Sequence, residues 1–142
     1  MRGTAVDDRQ PPPLVMHLTG AGPEAVSAVR TSIRRFLSDL DEGDFPDVLV
    51  VAVELVTNAL EHGGGPQWMR VSREQEAGLV RVEVRDSNLA PLTPGTSRFG
   101  VAAHRGNGLV LVGRMSADWG VDGDERTGCK TVWTTVPSEA SA

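Results

Sequence analysis

Apolar residues recur at helical spacing in the first half of the chain. Between residues 23 and 40 they lie three or four positions apart, which predicts an amphipathic helix with Pro23 at its first position. A second, mostly apolar segment begins at Pro46 and ends at the three glycines Gly63 to Gly65, and this punctuation predicts a second helix. Upstream, residues 14–18 form a short apolar run that predicts a strand.

The second half changes to the period of a strand, in which apolar and polar residues alternate. Val80, Val82 and Val84 alternate with charged residues and lead into Asp86, which predicts a strand with one covered face. Three shorter runs predict further strands near residues 69–72, 119–121 and 130–136.

The segment after the strand that leads into Asp86, residues 87–106, contains several glycines and prolines and shows no apolar period. It is longer than ordinary connections, and long loops of this kind are commonly active-site lids. Residues 109–115 return to helical spacing and predict a third helix. These elements predict an α/β (α+β) two-layer sandwich, in which three main helices pack on one face of a mixed, mostly antiparallel sheet.

Length and charge narrow the class of protein. The 142 residues suit one domain, which we place at residues 14–136, between a disordered arm at 1–13 and a frayed tail at 137–142. The net charge of −5 gives no basic surface for direct nucleic-acid binding. No apolar stretch reaches the ~20 residues of a membrane span, and the polar N-terminus lacks the apolar core of a secretory signal. We therefore expect a cytoplasmic protein.

Cysteine and aromatic residues are scarce. The single cysteine, Cys129, excludes a disulfide framework and a CxxC metal site. It is expected to be a small, semi-buried apolar residue. Because the chain has no tyrosine and few other aromatic residues, the core is expected to be mainly aliphatic, with Trp119 and Trp133 included in it.

Glu54 and Asn58 are the most informative pair in the chain. They lie four residues apart in the second predicted helix, which is about one turn, so their side chains leave the same face. Their neighbours are mostly apolar, and a carboxylate and a carboxamide in such surroundings need a reason. Oxygen ligands of this kind suit Mg²⁺ that is shared with substrate phosphates. The alternative is that the pair lies on the solvated stripe of an amphipathic helix.

Four segments occur in the order found in the Bergerat-fold (GHKL) ATPases, the superfamily of DNA gyrase, heat-shock chaperones, histidine kinases and MutL. The segments ELVTNALEHG, VEVRDSNLAP, HRGNGLVLV and GCKTVWTTV resemble in turn the N box, the two glycine boxes and the closing strand. The small size, ELVTNALEHG and GLVLVGRMSADWGV resemble the anti-sigma-factor serine/threonine kinases of the RsbW and SpoIIAB type, in the style of stand-alone regulators of actinobacteria. The resemblance covers roughly residues 14–136 and implies the Bergerat ATP-binding fold.

The resemblance implies a role for each polar residue of the first two segments. Asn58 corresponds to the Mg²⁺ ligand, with the metal bridging the phosphates of ATP. Glu54 corresponds to the general base that deprotonates the attacking hydroxyl, of a protein serine in the kinases or of water in the ATPases. Asp86, at a strand end, corresponds to the acceptor that reads the exocyclic amine of adenine.

The later segments imply further nucleotide contacts. Gly106, Gly108 and Leu109 lie at the start of the third predicted helix, where backbone N–H groups and the helix dipole bind phosphate. Thr131 corresponds to a hydroxyl that supports the adenine-reading aspartate, directly or through water. Arg105 is a candidate contact to the terminal phosphate, and the alternative for it is a solvated residue of the lid.

One position departs from the resembled pattern. The first glycine box normally reads Asp-x-Gly, and here it reads Asp86-Ser87-Asn88. The glycine lets the backbone approach the nucleotide and adopts positive φ, a geometry that asparagine tolerates better than most residues. The turn is therefore expected to survive, with the Asn88 side chain close to the base.

The resemblance as a whole implies an ATP-binding regulatory kinase that uses Mg²⁺. It would phosphorylate a serine or threonine of an anti-sigma-factor antagonist and sequester a sigma factor, without contact to nucleic acid or membrane; a homodimer stays open. Arg30, Arg34 and Arg35 on the first helix are either a solvated face or part of the surface that meets the protein partner. Two alternatives remain, namely a protein-binding module of the same fold without turnover and a stand-alone histidine-kinase-type ATPase domain.

Overall fold

Five strands and two helices are defined in the described part of the chain. The computed structural model describes residues 12–39, 46–61, 65–74, 77–87 and 113–137. Residues 113–115 are also helical, and the earlier part of the third helix predicted over 109–115 lies outside these ranges. In chain order the elements are β1 (Leu14–His17), α1 (Glu24–Phe36), α2 (Pro46–Glu61), β2 (Pro66–Glu74), β3 (Leu79–Asp86), β4 (Asp118–Asp124) and β5 (Cys129–Pro137).

The strands form one sheet in the order β1-β2-β3-β5-β4, and every described strand pair is antiparallel. Gly78 before β3 and Gly128 before β5 have φ of 67° and 73°, a left-handed geometry that glycine adopts without the steric penalty of a Cβ. The predicted α+β architecture with a mostly antiparallel sheet is confirmed. The pairing of β3 with β5 places Asp86 directly opposite Lys130.

The core lies between one face of the sheet and the two helices. Alternate residues of β3, Val80, Val82 and Val84, are at most 1% exposed, whereas the charged residues between them are half-buried. Burial of each such side chain stabilises the fold by roughly 1.5–3 kcal/mol. The core is aliphatic, as predicted, and consists of Leu18, Ala25, Val29, Ile33, Leu37, Val48, Val51, Ala52, Leu55, Val56, Ala59, Met69, Val71, Val80, Val82, Val84, Val132 and Val136.

Helix α1 is shorter than the helix predicted over residues 23–40. Pro23 precedes its first residue and already has helical angles, with φ of −58° and ψ of −22°. The helix ends at Phe36, and the buried Leu37 closes the last turn by donating its N–H to the carbonyl of Ile33. A turn follows over 37–39, so the apolar period extends further along the chain than the helix does.

Helix α2 begins at Pro46, as predicted, and continues to Glu61. Of the glycines predicted to end it, Gly65 has a φ of 85° and the other two lie outside the described residues. The buried residues of this fully described helix are apolar with one exception, Asn58. Neither α1 nor α2 is long and apolar enough to cross a membrane.

The opposite face of the sheet carries polar and aromatic side chains. Trp133 lies on it, because it alternates along β5 with the buried residues Val132 and Thr134. Gly120 of β4 is directly across from Trp133, and the Arg81 guanidinium carbon lies 4.6 Å from the centre of the Trp133 ring system. Neither tryptophan of the predicted core belongs to it: Trp133 occupies this other face, and Trp119 is half-buried on the edge strand β4. That prediction is wrong.

The lid predicted over residues 87–106 lies outside the described residues apart from Ser87. The same holds for the predicted arm and tail, apart from residues 12, 13 and 137.

Candidate nucleotide-binding site

Glu54 and Asn58 lie one turn apart at the edge of the buried face of α2. Asn58 is 5% exposed, and Glu54, one turn before it, is half-buried. The Asn58 side-chain nitrogen Nδ2 has no hydrogen-bond partner among the described residues. A buried polar group without a partner destabilises a fold by about 1–3 kcal/mol. The helix therefore carries a buried carboxamide whose nitrogen has no partner among the described residues, one turn from a carboxylate, and stability alone does not explain it.

The carboxyl group of Glu54 has a pKa above its ordinary value. Burial is the main cause, because a partly desolvated carboxylate is less stable than one in water. The negative charge of Glu61, seven residues or about two turns further along α2, raises the pKa as well. Both effects make the Glu54 carboxylate a stronger base, and a stronger base suits proton transfer from a hydroxyl group.

Asp86 ends β3 with its side chain on the same face as the buried valines of that strand. Directly across from it on β5 is Lys130, which faces the same way. The Lys130 Nζ lies 3.5 Å from the Asp86 Oδ2, and the two residues are 1% and 4% exposed. Buried charges are found paired, because an isolated charge loses its hydration. The two side chains therefore form a buried ion pair of one donor group and one acceptor group.

Thr131 lies on the other face of the sheet from Asp86. It is paired with Arg85, one position away from the pairing of Lys130 with Asp86. Successive side chains of a strand point to opposite faces, so the Thr131 hydroxyl is directed away from the Asp86 carboxylate. The register thus places Lys130, and not Thr131, beside the predicted adenine-reading residue. The remaining predicted contacts lie outside the described residues and stay predictions: Asn88, Arg105, Gly106, Gly108 and Leu109.

A cavity of about 390 Å³ lies between the start of α1 and the end of α2. Val26 of α1 and Thr57 and Glu61 of α2 are among the residues that line it. Glu61 is also the residue whose charge affects Glu54, and Thr57 follows Glu54 by three residues, so the cavity begins about one turn beyond the candidate base along α2.

Residues 19–136 match the protein-family model described as a histidine kinase-like ATPase domain. The chain belongs to this family. The match covers most of the chain and contains all the described candidate residues of the histidine kinase-like ATPase domain. No curated protein matches the chain significantly. The resemblance to the Bergerat-fold ATPases is confirmed, and the family assignment supports an ATP-binding regulatory function.

Histidine kinase-like ATPase domains bind ATP, usually together with Mg²⁺. Within the described ranges, no group of three His, Cys, Asp or Glu side chains could hold a metal ion by itself. Mg²⁺ is commonly held by one or two protein side chains, several waters and the phosphates of a substrate. The side-chain oxygen of Asn58, one turn after Glu54 on α2, fits such a shared site. The residues of this domain therefore fit Mg²⁺ that arrives with a nucleotide.

Lys130 is the site residue that sequence reasoning missed. It lies two residues from Val132 and six from Val136, so it is in phase with the buried side of β5. A lysine in phase with buried valines needs a buried partner, and Asp86 at the end of the preceding apolar strand was the available carboxylate. That signal was present in the alternation of the two strands. The prediction instead followed the motif and assigned the supporting role to Thr131, the residue after Lys130.

Proposed function

We propose that this domain is an ATP-dependent protein serine/threonine kinase of the anti-sigma-factor type. It phosphorylates an antagonist protein and sequesters a sigma factor. The observation that carries the proposal is Glu54, a half-buried carboxylate with a raised pKa, one turn from the buried carboxamide of Asn58. A binding module without chemistry has no need for a base tuned in this way, since burial of a carboxylate opposes folding.

Each described residue then has a defined task. Asp86 accepts a hydrogen bond from the exocyclic amine of adenine, and Asn58 provides a side-chain oxygen for Mg²⁺. The metal ion, when bound with ATP, neutralises charge on the phosphates. Glu54 orients the serine or threonine hydroxyl of the protein substrate and takes its proton. The raised pKa of Glu54 lies closer to the pKa of the attacking hydroxyl in the transition state. Proton transfer to Glu54 is therefore more favourable than transfer to an ordinary carboxylate.

Two features support a protein as the acceptor. The cavity that Val26, Thr57 and Glu61 line begins about one turn beyond Glu54 along α2 and offers space for a substrate side chain. The exposed surface of α1 carries Arg30, Arg34 and Arg35, which is a local positive cluster on a chain of net charge −5. Such a cluster favours docking of an acidic protein surface, because complementary charges steer association.

The second candidate is a nucleotide-binding protein module that has lost turnover. The observation that favours it is Asn88, which stands where the first glycine box of the resembled kinases has glycine. A side chain at that place reduces the space for the base. This candidate predicts ATP binding and partner binding without phosphoryl transfer, whereas the kinase predicts all three.

The test compares the parent protein with Glu54→Gln, which removes the base but keeps the size of the side chain. Mg²⁺·ATP affinity is measured by calorimetry, and phosphoryl transfer is measured with radiolabelled ATP and candidate antagonist domains from the same genome. We expect near-normal affinity and a loss of turnover on the order of 10²–10⁴-fold. Glu125→Gln, at an exposed residue of the β4–β5 turn, is the matched control for the change in charge and should behave as the parent.

Two outcomes contradict the kinase. Equal losses of affinity and turnover in Glu54→Gln would make Glu54 a ligand or a structural residue instead of a base. Absence of transfer by the parent, in the presence of a partner that it binds, would favour the module without turnover.

A further inference from the structure

We infer that Lys130 is a second base-reading residue, whose ammonium group donates a hydrogen bond to the ring nitrogen N1 of adenine beside the amine that Asp86 accepts. This inference rests on the proposed binding of ATP at Asp86. It assigns to Lys130 a role in selecting the base, beyond that of a counter-charge. The starting point is the buried pair itself, because a lysine that is 1% exposed is a rare feature of a small domain.

The two side chains are fixed by the sheet. Asp86 and Lys130 are direct partners in the antiparallel pairing of β3 with β5, and both belong to the face that packs toward the helices. Strand pairing therefore holds their Cα atoms at a set distance, and the 3.5 Å between Lys130 Nζ and Asp86 Oδ2 keeps the two charged groups adjacent. A ligand atom that reaches the Asp86 carboxylate on this face comes within reach of the Lys130 ammonium as well.

The pair is complementary to one edge of adenine. That edge presents a hydrogen-bond donor, the exocyclic amine, next to an acceptor, the ring nitrogen N1. Asp86 and Lys130 present an acceptor next to a donor in the same spacing range. An ammonium group carries three protons and can donate to more than one acceptor at once, so contact with the carboxylate and contact with a base are compatible.

Burial makes the donor selective. Hydrogen bonds to charged groups are stronger than neutral ones, and a buried charged donor that faces a ligand atom without acceptor capacity is left without that hydrogen bond. A site of this kind rejects an analogue that lacks the matching atom more strongly than an open site does. Lys130 should therefore discriminate at N1 in the way that Asp86 discriminates at the exocyclic amine.

A lysine that serves only as counter-charge makes a different prediction. It would hold the Asp86 carboxylate in place and would be indifferent to the atom at position 1 of the base. The two roles separate with 1-deaza-ATP, in which a C–H group replaces N1 and the exocyclic amine is kept. If Lys130 contacts N1 directly, the mutation and the analogue remove the same hydrogen bond. Their effects on affinity are then not additive, whereas the effects of independent changes are.

The experiment measures affinities of ATP and 1-deaza-ATP for the parent, Lys130→Met and Thr131→Val by calorimetry in the presence of Mg²⁺. The parent should bind 1-deaza-ATP about 10- to 100-fold more weakly than ATP, the range expected for one hydrogen bond to a charged group. Lys130→Met should bind ATP more weakly by a similar factor and should bind both nucleotides equally. Thr131→Val, on the other face of the sheet, is the matched control and should keep the parent's preference.

Each outcome either supports or overturns the inferred contact between Lys130 and N1. Equal affinity of the parent for ATP and 1-deaza-ATP overturns the inference and leaves ATP binding intact, and no measurable ATP binding overturns the proposed function together with it. Tighter ATP binding by Lys130→Met would show that the lysine obstructs the base, and this also overturns the inference. If Lys130→Met does not fold, Lys130→Leu takes its place, and a preference for ATP over 1-deaza-ATP that persists without the lysine overturns the inference.

Discussion

Glu54 and Glu61 are electrostatically coupled along one side of α2. Burial is the larger cause of the raised pKa of Glu54, and the charge of Glu61 adds to it. Glu61 also lines the cavity between α1 and α2. The base strength of Glu54 is therefore set partly by a residue that lines this cavity.

Removal of the Glu61 charge should weaken Glu54 as a base. In Glu61→Gln one of the two causes of the raised pKa disappears, so the pKa of Glu54 should fall and burial should keep it above its ordinary value. The acidic limb of the kcat/KM profile should then move to lower pH, because the base stays ionised further into the acid range. Carbon-13 NMR titration of the Glu54 carboxyl measures the same shift without reference to activity. Glu125→Gln makes the same change in net charge at a distance, and a similar shift in that variant would rule out a local effect.

The raised pKa of Glu54 also predicts a pH-dependent gain in stability for Glu54→Gln. Because the folded protein binds this proton more tightly than the unfolded chain does, the stabilisation is present at low pH and is lost as the pH rises through the folded pKa. Above that pKa the parent carries a partly desolvated charge that the glutamine lacks. The variant should melt at a higher temperature than the parent at neutral pH, and the difference should shrink as the pH falls. Thermal melts between about pH 4 and pH 8 test this, and a difference that is independent of pH would contradict it.

The sequence predicted the elements of the described fold better than their ends. Strand β2 was expected over 69–72 and runs over Pro66–Glu74, because neighbours on both sides pair with it. A register shift between Pro66 and Trp68 explains why the alternation was blurred at its start. Helix α1 ends early although the apolar period continues, and Asp39 beyond it forms a two-oxygen ion pair with Arg73 of β2. Tertiary contacts of this kind leave no trace in the local period.

The site was predictable where it follows one helix and unpredictable where it depends on strand register. Glu54 and Asn58 needed only the helical repeat. The placement of Lys130 and Thr131 on opposite faces depends on which residue of β5 pairs with Asp86, and a shift of one residue exchanges them. The motif resemblance identified the strand and predicted its role in nucleotide binding. It did not determine which residue of β5 pairs with Asp86.

Loss of the Asn58 side chain should abolish the Mg²⁺-dependent part of ATP binding. Asn58→Ala removes the candidate ligand oxygen and with it a buried Nδ2 that has no partner in the described part of the chain, so the loss of stability should be small for a buried position. Calorimetry with and without Mg²⁺ measures the first effect and chemical denaturation measures the second. Asn58→Asp keeps an oxygen at the same place and should retain the dependence on Mg²⁺. An unchanged Mg²⁺ effect in Asn58→Ala would remove this residue from the metal site.

Gly120 should be intolerant of any side chain, because Trp133 occupies the space beside it. A Cβ atom at Gly120 would lie 2.7 Å from Cζ2 of the Trp133 ring, closer than real contacts allow. The ring is packed against Arg81, so its displacement also disturbs that contact. Gly120→Ala should lower the free energy of unfolding by about 1–3 kcal/mol, the usual effect of overpacking, as measured by chemical denaturation. Gly113→Ala, where nothing lies within 4 Å of an added Cβ, is the matched control and should lose no stability.

The cause of the Gly120→Ala effect can be isolated with a second substitution at the ring. Trp133→Leu removes the atoms that an added Cβ would meet, so Gly120→Ala should destabilise a Trp133→Leu background much less than it destabilises the parent. The difference between the two effects is the coupling energy of the pair, which should account for most of the single-variant loss. Additive losses would show that contact with Trp133 is not the cause of the destabilisation. In either case ATP affinity should stay unchanged, because Trp133 lies on the face of the sheet opposite to Asp86 and Lys130.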